Sequence, residues 1–343
     1  MVGIDTHKTG RWCIDTHFGG IDTHFQEDPV SIPIKGVELI VLLSECLPCE
    51  LCYKHNPPIF DPTKSSSYTK IGCEEKLCKL LPTVRCDKND GTSCYYGIVY
   101  ASLTSSEGIL STETFVFQHD GHSGNISILE LAFGCGHKNK DPFGGSEHDD
   151  GPPGVIGLNR NALSLISQLA FDSFSHCFVA KNNTSQSSLI HFGLDAVITE
   201  GSTTPMLDQG SSGYYYLSLE GISIGKDRFN ILPGSLNITR TGEGGFILDT
   251  GMTYTMINEN AHKCKLEDIQ TTPDVTFHFT GLDLVLTKLN TWIDAGDGNV
   301  CLAMLEGLTD HSILGNQQLQ NVNVGYDLKK KVVSFKDMDC NNT

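Results

Sequence analysis

Apolar and polar positions alternate over short distances along this chain from Val37 onward. Such runs occupy residues 95–100, 108–117, 126–133, 188–192, 214–224, 245–248, 274–279, 283–286, 321–326 and 331–335. They are rich in β-branched and aromatic residues, which predicts strands. Clusters of Gly, Asn, Asp, Ser and Pro separate them and predict turns. Only residues 162–170 carry a helical face, with Leu163, Ile166 and Leu169 spaced near 3.6. Strands do not alternate with helices, so the pattern predicts an all-β fold with few and short helices.

Residues 1–26 differ in texture. Ile-Asp-Thr-His occurs three times there, ending at His7, His17 and His24. No apolar period surrounds the repeats, so the segment is expected to be an unstructured, repeat-bearing leader. The rival reading is a metal site, because zinc accepts His and carboxylate ligands. Nothing in the local pattern would hold tetrahedral geometry, so no metal is expected. The first residues, MVGIDTHKTGRWC, also lack the apolar core of a signal peptide.

Composition narrows the function. The 343 residues carry a formal charge of −17. Phosphate backbones and anionic lipid are repelled by such a surface, so neither nucleic acid nor membrane is an expected partner. Apolar runs such as residues 39–43 are far shorter than the roughly 20 residues of a spanning helix. Thirteen cysteines, seven of them from Cys46 to Cys94, suit an oxidising compartment. Glycosylation sequons at Asn125, Asn182, Asn183, Asn237 and Asn341 agree with that.

The sharpest chemical motif is GGFILDTGMTYT, residues 244–255. An apolar strand delivers Asp249 to a tight loop, and Thr250 can hydrogen-bond beside it. Gly251 permits close backbone approach. Alone, Asp-Thr-Gly also fits an ordinary turn after a strand. Two apolar-apolar-Gly triplets, Val155-Ile156-Gly157 and Ile313-Leu314-Gly315, start 158 residues apart. That spacing suits a duplicated lobe.

With these motifs in place, the chain resembles the plant nepenthesin-like group of pepsin-type aspartic endopeptidases from about residue 44 to its end. Further matching segments are CLPCELCYKHNPPIFDPTKSSSY, LAFGCGHKN, YYYLSLEGISIG and SILGNQQLQNVNVGYDLKKKVVSF. The resemblance implies two β-lobes, residues 27–190 with a flap hairpin and 191–343 with the Asp-Thr-Gly motif. It implies a peptide substrate in a cleft between the lobes, a monomer without cofactor, and an extracellular or vacuolar location. It also implies six disulfides from the twelve cysteines Cys46 to Cys340, with Cys13 free. Zinc ligation by Cys46, Cys49 and Cys52 is the alternative.

Catalysis of this type needs two carboxylates about 3 Å apart that share one proton. Asp249 is expected to be one, supported by Thr250 and Gly251, with Tyr100 on the flap. The triplets Val155, Ile156, Gly157 and Ile313, Leu314, Gly315 are expected to lie beneath each lobe's central loop. The other carboxylate is missing: aligned to the group, Ile34 and Lys35 stand where Asp-Thr should. Asp5, Asp15 and Asp22 sit in Ile-Asp-Thr, but His replaces the Gly that follows. Ala101, Ser102 and Leu103 replace the usual glycine-rich flap tip, and Met252 the usual Ser/Thr. Only seventeen residues separate Ile257 from Val275, and the resemblance finds no strands before the first Asp position, so both lobes are expected to be incomplete.

Overall fold

The computed structural model describes residues 11–15, 42–52, 58–99, 105–118, 125–140, 154–180, 188–208, 213–229, 236, 238–239, 244–258, 273–296, 299–307 and 311–342. The protein is mainly β, as its alternating pattern predicts. It divides into two compact units, Ser31–Ala170 and Met1–Val30 with Phe171–Thr343.

The Ser31–Ala170 unit is built on one twisted sheet. Its long hairpin, Ser105–Gln118 with Asn125–Lys140, pairs antiparallel over most of its length. Cys94–Val99 pairs with one side of that hairpin, and Leu42–Glu45 runs parallel to the other. Gly154–Val155 then closes antiparallel on Leu42–Glu45. Phe133 anchors the core with edge-on contacts to Phe60, Tyr68 and Phe115 at centroid distances of 5.9, 6.3 and 5.3 Å. The predicted helix is the single turn and a half Leu165–Leu169. The Ser164 side chain caps its start by accepting from the Ser167 amide, and left-handed Ala170 ends it.

The other unit holds a large mixed sheet and a four-stranded antiparallel one. Ser173–Cys177, buried at every position, pairs with Leu189–Phe192 on one side and Val322–Asp327 on the other. Residues 171–190 therefore belong with the C-terminal strands, not with the preceding unit, as the predicted boundary at 190 had it. The segment FSHCF has no polar alternation, so its burial is legible in sequence, but its partner strand is not.

The leader is not wholly without structure, contrary to expectation. Arg11–Asp15 forms a strand antiparallel to Asn299–Gly307, with Cys13 opposite Cys301 in the backbone register. Five residues show little period, and the strand exists because an open sheet edge supplies its backbone partners. His7, His17 and His24 lie outside the described residues.

Disulfides join Cys46 to Cys135, Cys49 to Cys52, Cys73 to Cys86, Cys78 to Cys94 and Cys177 to Cys340. The Cys46, Cys49 and Cys52 sulfurs are thus taken, which removes the zinc reading. The Cys177–Cys340 bridge spans 163 residues and ties the chain's end to the core of its unit. Cys301 is also bridged. Its partner lies outside the described side chains, where only Cys13 and Cys264 remain of the thirteen. Titration of the oxidised, denatured chain is expected to find one free thiol, and mass mapping to assign it to Cys13 or Cys264. Two or more free thiols would overturn the bridge count.

Candidate active site

Asp249 sits where the strand Phe246–Leu248 ends. That strand lies parallel to Ser312–Leu314 on one side and antiparallel to Tyr215–Leu217 on the other. All three residues of Phe246–Leu248 are buried, so the apolar run before the Asp is sheet core. The Asp249 amide donates to the Leu314 carbonyl at 3.1 Å, which extends the parallel pairing one residue into the loop. The chain then turns: the Met252 amide donates to the Asp249 carbonyl at 3.3 Å. Inside that turn the Gly251 amide donates to Asp249 Oδ1 at 2.8 Å. A Cβ at position 251 would stand 3.1 Å from the same oxygen, so glycine there leaves the carboxylate room.

The loop is held from below by the segment after the second triplet. The Asn316 amide donates to Met252 O at 2.7 Å and the Gln317 amide to Thr253 O at 2.9 Å. Asn316 Nδ2 reaches the Thr250 carbonyl at 3.4 Å. Thr255 Oγ1 accepts from the Gly315 amide at 3.0 Å and donates to Gln318 Oε1 at 2.6 Å. Fully buried Gln318 then spends its amide group on the Asn290 and Ala303 carbonyls, both at 2.9 Å. Thr255 and Gln318 were not foreseen. Their link spans 63 residues and has no local period.

Asp249 is half-buried, and the protein around it withholds water, which pushes its carboxyl above the ordinary aspartate range. The Gly251 amide favours the charged form and offsets part of that rise. Nearby lies an aromatic bed. Tyr326 stacks on Phe174 at 4.2 Å and tilts against Tyr215 at 4.9 Å. Burial pushes the Tyr326 phenol well up, and the charges of Tyr215 and Asp249 add to this.

His176 closes this bed. It is buried, its Nε2 lies 3.2 Å from Tyr326 Oη, and its ring stacks on Phe178 at 4.3 Å. Its Nδ1 has no hydrogen-bond partner. Burial lowers its pKa to about 3. The folded state therefore refuses a proton that the unfolded chain accepts below about pH 6.5. Stability is fully present above that value and falls as pH drops toward 3. The predicted loss is on the order of 4 kcal/mol from this group alone. Urea unfolding at pH 7 and pH 3.5 should show it, and His176→Phe should flatten the difference; an unchanged pH slope in that variant refutes the assignment.

The two triplets occupy matching places. Met256, on Thr255–Asn258, is antiparallel to Ile313 and parallel to Leu305. Leu43, on Leu42–Glu45, is antiparallel to Val155 and parallel to Gly134. Asn258 faces Gly307 and Glu45 faces Gly136 in the same register. The strand trio is therefore duplicated. Burial is not: Ile313 and Leu314 are 0% exposed, whereas Val155 and Ile156 are 37% and 47% exposed. Ser312–Leu314 is flanked by strands on both sides, while Gly154–Val155 pairs only with Leu42–Glu45 among the described residues.

This duplication gives a second way to count to the position that corresponds to Asp249 in the other unit. Asp249 stands seven residues before Met256, and seven before Leu43 is Gly36, not Ile34. Neither residue carries a carboxylate. Ile34, Gly36, Tyr100, Asp5 and Asp22 lie outside the described residues, as does the Asp15 side chain.

Comparison with known proteins also gives two parts, with the N-terminal match running past Ala170 to residue 194. A family profile described as Xylanase inhibitor N-terminal matches residues 40–194, and one described as Xylanase inhibitor C-terminal matches 214–271 and 263–337. Aspartic proteinase nepenthesin-1 of Nepenthes gracilis is 32% identical over 88% of this chain and 72% of its own length. A probable aspartic protease of Arabidopsis thaliana is 33% identical over 86% of this chain and 74% of its own. Among solved structures, conglutin gamma, a basic 7S globulin from lupine seeds, superposes with a TM-score of 0.66. It is 15% identical and covers 89% of this chain and 86% of its own, so it shares the fold.

Proposed function

Because this chain belongs to the nepenthesin-like plant aspartic proteinases, we propose that it keeps that family's peptide-binding scaffold and one catalytic carboxylate, Asp249, but not hydrolysis. The observation that carries the reading is the double count toward the missing partner. The family resemblance leads to Ile34 and the duplicated strand register leads to Gly36. A carboxylate pair supplies both a base for water and an acid for the scissile carbonyl; Asp249 alone can fill one role. The family resemblance and the division into two compact units support reading each unit as one of the family's lobes. Peptide or protein is the ligand class, and the chain acts as a monomer. Its disulfides and sequons support a secreted or vacuolar glycoprotein.

The test separates binding from cleavage. Labelled casein peptides are followed by fluorescence anisotropy at pH 4 and pH 7, with peptide release measured in parallel. Binding without cleavage is the expected result. Cleavage overturns the reading, and so does the absence of any binding by a chain that unfolds cooperatively.

A further inference from the structure

We propose that Ser223, His278 and Asp283 form a second, serine-based acyl-transfer site on the outer face of the four-stranded sheet, one that takes a small solvent-borne carboxylic ester. Ser223 Oγ lies 2.7 Å from His278 Nε2, and His278 Nδ1 lies 2.7 Å from Asp283 Oδ1. The three residues come from three adjacent strands, Leu219–Ile224, Val275–Phe279 and Leu282–Leu286. Register explains how they meet. Ser223 is opposite Thr276, two residues before His278, and His278 is opposite Asp283. With a side-chain period of two, all three fall on one face. The other face buries Val275, Phe277, Phe279 and Leu284.

The order of contacts is that of an activated nucleophile. The carboxylate accepts from Nδ1–H, which fixes the tautomer that leaves Nε2 free to accept the serine proton. Asp283 is open to water, with 63% of its side chain exposed, and His278 is 13% exposed, so the trio faces solvent at its acidic end. A cation stands beside it. Arg228 is directly opposite Ser223 on the strand Asp227–Phe229. Its guanidinium lies over Gly221, where a Cβ would come within 3.0 Å of Nε. Gly221 is opposite His278, so the missing side chain is what lets the guanidinium settle there.

In the proposed step Ser223 Oγ bonds to the acyl carbon and its proton passes to His278 Nε2. The ester C–O bond breaks, and the departing alcohol takes that proton. Water then attacks the acyl-serine by the same route and releases the acid. Arg228 offers N–H groups to the oxyanion. None of these groups touches Asp249, so the proposal stands or falls independently of peptide binding.

The probe is a fluorophosphonate, which bonds through phosphorus to an activated serine and expels fluoride. Full-length protein is treated with it, digested and mapped by mass, and p-nitrophenyl acetate hydrolysis is followed in parallel. A folded-state adduct on Ser223 is expected, absent after heat denaturation and insensitive to pepstatin. His278→Gln should slow labelling about 100-fold or more, and Asp283→Asn should slow it as well. If the folded wild-type chain gives no Ser223 adduct, the trio is a cross-strand polar ladder and the proposal fails. It fails equally if His278→Gln labels as fast as wild type, or if Ser223→Ala lowers the melting temperature while ester hydrolysis persists.

Discussion

Incubated with a denatured protein at acid pH, this chain is expected to release no pepstatin-sensitive peptides. In an intact pair each carboxylate shifts the other's pKa, giving a bell-shaped acid optimum. Among the described residues, Asp249 has burial and the Gly251 amide acting on it, and no carboxylate. A single carboxylate can orient a water but cannot also protonate the carbonyl oxygen. Loss of one positioned acid or base costs roughly 10²–10⁴ in rate, enough to take a slow acid protease below detection. Restoration discriminates between the two counts. Replacing Gly36-Val37-Glu38 with Asp-Thr-Gly follows the strand register; replacing Ile34-Lys35 with Asp-Thr, and removing two residues before Cys46, follows the resemblance. The first is expected to recover more activity, since it leaves Leu43 opposite Val155. Robust acid proteolysis by the unaltered chain, abolished by Asp249→Asn, would show that another Asp reaches the site, and Asp22 would be the first to test.

The same substitution has a stability signature of definite sign. Burial raises the Asp249 pKa, so the folded state holds this proton more tightly than the unfolded chain does. Below the ordinary aspartate value this has no cost. Above it, stability falls as pH rises through the raised pKa. Asp249→Asn is therefore expected to raise the melting temperature at pH 7 and to lose that advantage by about pH 3. A variant less stable than wild type at pH 7 would mean that the carboxylate has a favourable partner.

Much of the scaffold was legible because it rests on local pattern. The buried strands around Phe277 and Val324 follow from period-two apolar positions, the one at Phe246 from a continuous apolar run, and the helix Leu165–Leu169 from one apolar face. Asp249 was legible because a strand, an Asp and a Gly in sequence are a local statement. What was hidden is non-local. Gln318 meets Thr255 across 63 residues, and Ser223 meets His278 across 55, with no motif to join them. The triplets look alike as sequence, yet only the second is covered, because cover comes from a flanking strand rather than from the triplet itself. The leader strand Arg11–Asp15 exists through pairing with Asn299–Gly307, which five residues cannot announce.

Gly315→Ala is expected to be among the most damaging single substitutions in this chain, at about 3 kcal/mol or more. The reason is distance, not conformation. Gly315 has φ −92°, which any residue adopts, so there is no left-handed strain to relieve. A Cβ there would stand 2.5 Å from Tyr254 C, 2.6 Å from Tyr254 O and 2.9 Å from Thr255 N. All three atoms are backbone and cannot rotate away. Separation would stretch the bond from the Gly315 amide to Thr255 Oγ1 and, through it, the contact to Gln318. It would also pull Leu314 from the Asp249 amide, so the carboxylate would move with the fold. Gly91→Ala is the matched control. That glycine has φ +70° and nothing within 4 Å of its Cβ position, so alanine there meets only the left-handed penalty of roughly 1–2 kcal/mol. Urea midpoints of the two variants compare a steric cost with a conformational one. If Gly315→Ala were no worse than Gly91→Ala, the loop beneath Asp249 would be yielding, and Gly315 would not be what holds the aspartate in place.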